Sequence, residues 1–407
     1  MLTSAALVSV VAAISPLAVQ LFRLPVPDVV LQILLGVVIG PQLLGWASAD
    51  GPVRVLSLVG LSFLLFLAGL ELEPKNLRGR SLRLSVLGFA TSFVIALVVG
   101  GALGVVGLVK SPVLVAVILS ATALGIVLPI LDDAGRLDGP LGQLVVAGAS
   151  LAEVVPVALL SLLFSEGSGG LGSQLTLFGT FLVLVAVAAV VLVGLERWTW
   201  LSRSLVALQS TTAEIRIRAA VALLMTFAAA ASAFGLEAIL GAFLAGATVS
   251  FLDRDEHESH QQFRPKLRAV GFGALIPFFF VATGMNLDIR SLVDEPSTTL
   301  RIPVFLAAFL LVRAVPALAY RPLLGSTRQA VAAGLFQATT LSIPVVGGQI
   351  GVQLQLITPE NYVALVAAGL LSVIAFPQLG LLLARPRPPA SAKRQTAGAT
   401  PPQEGPA

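Results

Sequence analysis

The chain has 407 residues, of which 57% are hydrophobic and 11% charged, with mean hydropathy +0.96. Soluble globular domains are about one quarter charged, so this composition excludes one and marks an all-α polytopic membrane protein. The lack of cysteine excludes disulfides and thiolate metal sites, and the net charge of +4 sits in loops between apolar runs rather than in a nucleic-acid-binding patch, so no nucleic acid partner is expected.

Cutting the chain where charges and Pro/Gly clusters interrupt runs of about 20 apolar residues yields about 13 transmembrane helices, each long enough for a hydrocarbon core of roughly 30 Å. They fall near 2–22, 28–45, 53–72, 82–108, 111–131, 140–164, 173–195, 213–233, 236–252, 264–286, 299–320, 327–350 and 359–384. The first lacks a basic leader and a small-residue cleavage site, which argues against a removed signal peptide. The third ends at Glu71, beside Glu73 and Lys75, where an interfacial role is expected. Lys75, Arg78, Arg80 and Arg83 then enforce topology and meet anionic lipid headgroups.

The sixth span carries Glu153 near its middle, the one carboxylate deep in an apolar stretch. A charge at the bilayer centre costs roughly 2.5–3.5 kcal/mol on insertion scales and marks a functional site by default. Its obvious partner is Arg313, equally deep in the eleventh span. Glu237 opens the ninth span, where a carboxylate favours the helix amino terminus. The loop 253–260 holds the two histidines, His257 and His260, and reads as a solvated mixed-charge loop. Residues 385–407 are Pro, Ala and charge without periodicity, and read as a disordered tail.

Counting basic residues alternately by side places twenty on one face against four (Arg54, Lys110, Arg290 and Arg301) on the other. The positive-inside rule then puts the amino terminus outside and the carboxyl terminus in the cytoplasm.

An internal repeat organises the whole. Ala121-Thr122-Ala123-Leu124-Gly125-Ile126 precedes Pro129 in span five, and Ala338-Thr339-Thr340-Leu341-Ser342-Ile343 precedes Pro344 in span twelve. In the spans that follow, Ala147-Gly148 leads Pro156 by the interval that separates Ala368-Gly369 from Pro377. Matched elements lie seven spans apart, so the copies cross in opposite directions, as inverted six-helix repeats. One transmembrane domain (1–384) is expected, with repeat one at about 2–164, a linker helix at about 173–195 and repeat two at about 213–384. Such repeats pair interrupted helices at the midplane, where freed backbone and helix ends receive an ion.

Four stretches carry a resemblance. Leu34-Leu35-Gly36-Val37-Val38-Ile39-Gly40-Pro41 and Leu64-Leu65-Phe66-Leu67-Ala68-Gly69-Leu70-Glu71-Leu72 lie in spans two and three. Leu240-Gly241-Ala242-Phe243-Leu244-Ala245-Gly246 and Phe278-Phe279-Phe280-Val281-Ala282-Thr283-Gly284-Met285 lie in spans nine and ten. With these the chain resembles the monovalent cation:proton antiporters, in the bacterial branch that includes potassium-efflux and sodium/proton exchangers. The resemblance implies a multi-pass protein of the bacterial inner membrane without cofactor, working as a homodimer in lipid, whose core of two crossed interrupted helices moves against a dimerisation domain. It maps the family's ion-binding aspartate onto Glu153 and a basic residue of the eleventh span onto Arg313. The chain departs from the family at Ala152-Glu153, where a polar residue usually precedes an aspartate, and at Thr340, where potassium-efflux relatives often carry an acid.

A small cation wants several hard oxygen ligands. Glu153 with Thr122, Thr339, Thr340, Ser342 and freed carbonyls supplies them, making Glu153 the expected alkali-cation ligand. The expected mechanism is a secondary transporter, not an enzyme, exchanging sodium or potassium for a proton by competition at Glu153. Arg313 takes no part as a proton donor, because guanidinium does not deprotonate in proteins. One carboxylate implies one proton per cation and electroneutral exchange. Two other readings remain open: a proton-coupled transporter of a small organic solute, and a non-transporting homologue.

Overall fold

The computed structural model describes residues 2–23, 26–71, 79–137, 139–164, 171–196, 214–252, 263–288 and 296–384. The histidine loop at 253–260, Lys75, Arg78 and the tail at 385–407 lie outside them. All regular structure among the described residues is helical.

The first four helices are α1 (Leu2–Leu21), α2 (Asp28–Ile39), α3 (Pro52–Leu70) and α4 (Gly79–Val105). Expected span two was to run to 45, but α2 stops at Ile39: Pro41 cannot continue a helix, and the residue before a proline is pushed out of helical conformation. Span five is two short helices, α5 (Pro112–Leu119) and α6 (Leu124–Asp133), broken at 120–123. Unbroken α7 (Pro140–Phe164) and α8 (Leu171–Glu196) follow, then α9 (Ile215–Ala233) and α10 (Ala238–Leu252). Span ten divides into α11 (Phe263–Val270), a π-helical turn at Gly271–Leu275 and α12 (Ile276–Asn286). Next come α13 (Pro296–Ala317), the short α14 (Arg321–Leu324), the broken pair α15 (Thr327–Ala338) and α16 (Ser342–Gln353), and α17 (Pro359–Ala384).

Among the described residues nine segments are long and apolar enough to cross a membrane, α15 with α16 makes one more span bent by 42°, and three shorter apolar helices lie at 28–39, 175–188 and 238–251. Each of the thirteen expected spans has its counterpart here. This is a multi-pass membrane protein.

Packing gathers the helices into two groups. Helices α1, α2, α3, α9, α10 and α12 pack on one another, and α4 to α7 pack with α13, α15, α16 and α17. Contacts of α7 with α10, and α8 touching both, join the groups. The first group is closely interlocked through glycine, the packing habit of membrane helices. A Cβ at Gly36 would strike the Val281 carbonyl, and one at Gly284 would strike the Ile33 carbonyl. Gly69 and Gly246 do the same between α3 and α10, meeting the carbonyls of Phe243 and Phe66.

Polar pairs join the helices at their ends. Arg268 pairs with Glu71 and Lys266 with Glu214 at the ends of α11, α3 and α9. Past the far end of α4, Arg301 donates to Asn361 at 3.0 Å and Asn361 to the Leu108 carbonyl.

Candidate functional site

The two helix breaks meet inside the second group. The Ala123 amide of the first donates to the Thr339 carbonyl of the second at 2.9 Å, and the Thr122 amide donates to the Ala152 carbonyl of α7 at 3.2 Å. Ala152 has that carbonyl to offer because Pro156, four residues on, carries no N–H to claim it. Proline in α7 thus frees the acceptor that anchors the break in its neighbour. In the second break Ser372 of α17 does the corresponding work: its hydroxyl accepts from the Thr340 amide at 3.1 Å and lies 2.9 Å from the Thr340 carbonyl.

Glu153 is buried one residue beyond the Ala152 anchor, with 6% of its surface exposed. Its carboxyl group addresses the backbone N–H of Leu124, the first residue of α6, and its Oε2 has no hydrogen-bond partner. A helix amino terminus carries unsatisfied N–H groups and the positive end of the helix dipole, so it is a natural seat for an anion.

Arg313 is also buried, but it does not pair with Glu153. Its Nε bonds the Thr122 hydroxyl at 3.1 Å and the Gln337 carbonyl at 3.3 Å. Its other nitrogens reach the Ser92 hydroxyl at 3.1 Å and the Gly148 carbonyl at 3.4 Å, and the guanidinium lies 5.9 Å from the centre of the Phe89 ring. The Gln337 carbonyl belongs to the last turn of α15, the negative end of that helix. The expected ion pair is replaced by a different division of charge, in which the carboxylate takes a helix amino terminus and the guanidinium a helix carboxyl terminus.

The other expected ligands differ in what they have left to offer. The Thr122 hydroxyl donates to the Gln337 carbonyl while accepting from Arg313. The Thr339 hydroxyl bonds back to Leu335 within its own helix at 3.2 Å. Thr340 is buried and its hydroxyl has no partner. Ser342 is half-buried and opens α16. Thr122, Arg313 and the backbone of the second break are therefore brought together directly, with Glu153 one residue beyond the Ala152 carbonyl that Thr122 bonds. Sequence reasoning passed over Ser92, Gln337 and Ser372. Their signal was a polar side chain deep in an apolar span, faint for serine and plainer for Gln337, which sits immediately before the repeated Ala-Thr.

A family model described as "Sodium/hydrogen exchanger, transmembrane" matches residues 8–380, across both breaks, Glu153 and Arg313. The chain belongs to the sodium/hydrogen exchanger family. YjbQ of Bacillus subtilis (strain 168), named for Na(+)/H(+) antiport, is 30% identical over 393 residues, covering 92% of this chain and 62% of its own length. The Na(+)/H(+) antiporter of Enterococcus hirae is 25% identical, covering 87% of this chain and 91% of its own. The Na(+)/H(+)-K(+) antiporter GerN of Bacillus cereus is 27% identical over 277 residues, covering 67% and 68%. The chain thus spans less than two thirds of YjbQ, though nearly all of the E. hirae exchanger. The solved structure of the sodium proton antiporter MjNhaP1 from Methanocaldococcus jannaschii superposes with a TM-score of 0.63 at 17% identity, covering 94% of this chain and 99% of that one. That likeness shows the fold, the sodium/proton antiporter fold.

Proposed function

We propose that this exchanger-family chain carries a monovalent cation one way across the bacterial inner membrane and a proton the other, by competition at Glu153. The observation that carries the reading is the state of that carboxyl: buried, seated on a helix amino terminus beside two meeting helix breaks, with one oxygen unpartnered. A proton fills that vacancy by making the group a neutral acid, and a sodium or potassium ion fills it by direct coordination. Either occupant removes the cost of carrying a bare carboxylate through the barrier. The Thr340 hydroxyl, likewise buried and unpartnered, is the strongest auxiliary ligand, followed by Ser342. Thr122 and Thr339 act through the breaks they hold together.

The two helix groups supply the moving parts. The group holding the breaks shifts against the glycine-interlocked group, exposing Glu153 to one side at a time. The matched breaks support inverted six-helix repeats with α8 as the linker. The clustering of Glu71, Arg264 and Arg268 away from Arg301 and Asn361 supports an outside amino terminus and a cytoplasmic carboxyl terminus. A homodimer in lipid belongs to the same reading, supported by the family resemblance.

The test is internal pH in proteoliposomes after external addition of sodium, potassium, lithium or choline, with and without an imposed potential. Wild type is expected to alkalinise with an alkali cation and not with choline, at a rate the potential leaves unchanged. Glu153→Gln is expected to abolish the response. A well-inserted wild type that moves no proton with any alkali cation would sink the antiport reading and turn attention to organic solutes.

A further inference from the structure

Glu71, at the end of α3, is far more enclosed than its place beside charged residues in the sequence suggests. Its side chain is 8% exposed. Oε1 accepts from Arg268 at 3.2 Å, while Oε2 has no partner. Arg268 itself is 46% exposed, so the pair is a buried carboxylate closed off by one guanidinium that reaches water. Arg264 also bears on Glu71 electrostatically.

What lies on the carboxylate's other side gives it significance. A Cβ on Gly125, in the first turn of α6, would meet Glu71 Oε2 at 3.7 Å and Oε1 at 4.0 Å, and no other group beyond its own helix within 4 Å. Leu124, the preceding residue, presents its N–H to Glu153, and the two carboxyl groups interact electrostatically. Two enclosed carboxyls, each with an unpartnered oxygen, therefore address the same helix turn, one from each helix group. With glycine at position 125, only a hydrogen stands where a larger side chain would press on the Glu71 carboxyl group.

We propose that Glu71 is a second cation-binding carboxylate, the inner entry site on the route to Glu153, with Arg268 as its displaceable counter-ion. This rests on the antiport reading and adds a step to it. An arriving sodium or potassium ion takes the place of the guanidinium on Glu71, Arg268 swings toward water, and the ion passes Gly125 to reach Glu153. The charge on Glu71 is balanced at every stage, first by arginine and then by the ion. A purely structural ion pair with one partner half in water contributes little, and would leave cation affinity untouched.

The experiment measures exchange in membrane vesicles of both orientations, titrating sodium and potassium on each face for wild type, Glu71→Gln, Glu71→Asp, Arg268→Gln and the Glu71→Gln/Arg268→Gln double variant. Glu71→Gln is expected to raise the apparent KM from the inner face about tenfold, the scale of one charge removed from a partly solvated site. The outer-face KM should stay near wild type, and Glu71→Asp should recover most of the inner-face affinity. Arg268→Gln is expected to lower the inner-face KM, and to have no effect once Glu71 is neutral. An unchanged inner-face KM in Glu71→Gln, an equal rise of KM on both faces, or additive effects of the two substitutions would overturn the proposal. Should a thermal melt show Glu71→Gln unfolded, Gly125→Val replaces it, filling the gap without altering charge: slowed entry from the inner face supports the route, and wild-type entry overturns it. Wild type that exchanges no cation at all would overturn the antiport reading itself, whereas exchange indifferent to these substitutions overturns only the entry site.

Discussion

Arg313 holds four separate partners because a guanidinium presents five N–H donors in a fixed plane. Lysine offers a point charge on a flexible stem and cannot span Thr122, Ser92, Gly148 and Gln337 together. Arg313→Lys is expected to lower the melting temperature in detergent, since removing one partner of a buried charged network leaves others unsatisfied at about 1–3 kcal/mol each. Arg313→Gln should cost more. If Arg313→Lys melts with wild type, the guanidinium is not what ties the breaks. The two deep charges were legible in sequence, because an apolar span makes any ionised residue conspicuous. Their pairing was not, because the opposing charges are helix ends, formed by backbone groups that no residue type announces. Glu71 was obscured for a related reason: its neighbours Glu73 and Lys75 suggest an interface, whereas its partner Arg268 and the nearby Gly125 come from elsewhere in the chain.

At the scale of elements, the break between α5 and α6 is held by a carbonyl that Pro156 liberates in α7. Pro156→Ala restores an N–H at that position, which competes with Thr122 for the Ala152 carbonyl. The substituted α7 should be the more stable helix, since proline in a helix interior costs roughly 3 kcal/mol. Turnover should nevertheless fall, and amide exchange at 120–123 should quicken as the break loses its anchor. Unchanged exchange at those amides would show that the break stands without α7. The repeated Ala-Thr motif with its following proline located both breaks to within a few residues. It did not reveal the anchors, Ala152 and Ser372, because they belong to neighbouring helices, nor the π-helical turn at Gly271–Leu275.

Across the whole molecule the helix count was readable because a bilayer fixes the length of every span, while the division into two groups was not, being a matter of which faces meet. The glycines of the four family stretches mark one group: Gly36 with Gly284, and Gly69 with Gly246, let backbones touch. Gly284→Ala is expected to force α2 and α12 apart and lower the melting temperature, by the roughly 1–3 kcal/mol typical of overpacking. Gly101→Ala, which meets nothing within 4 Å, should leave it unchanged or raise it slightly. Equal melting of the two variants would mean that the first group is looser than its contacts imply.

These reciprocal pairs have a consequence for how such proteins can change over time. Most packing contacts allow compensation, one side chain shrinking as its neighbour grows. Gly36 and Gly284 have nothing left to remove, so an enlargement of either has no remedy at the other. A suppressor screen begun from Gly284→Ala should return no substitution at position 36. Methods that infer proximity from paired changes among related sequences should be blind here, where two helices approach so closely that neither position is free to vary.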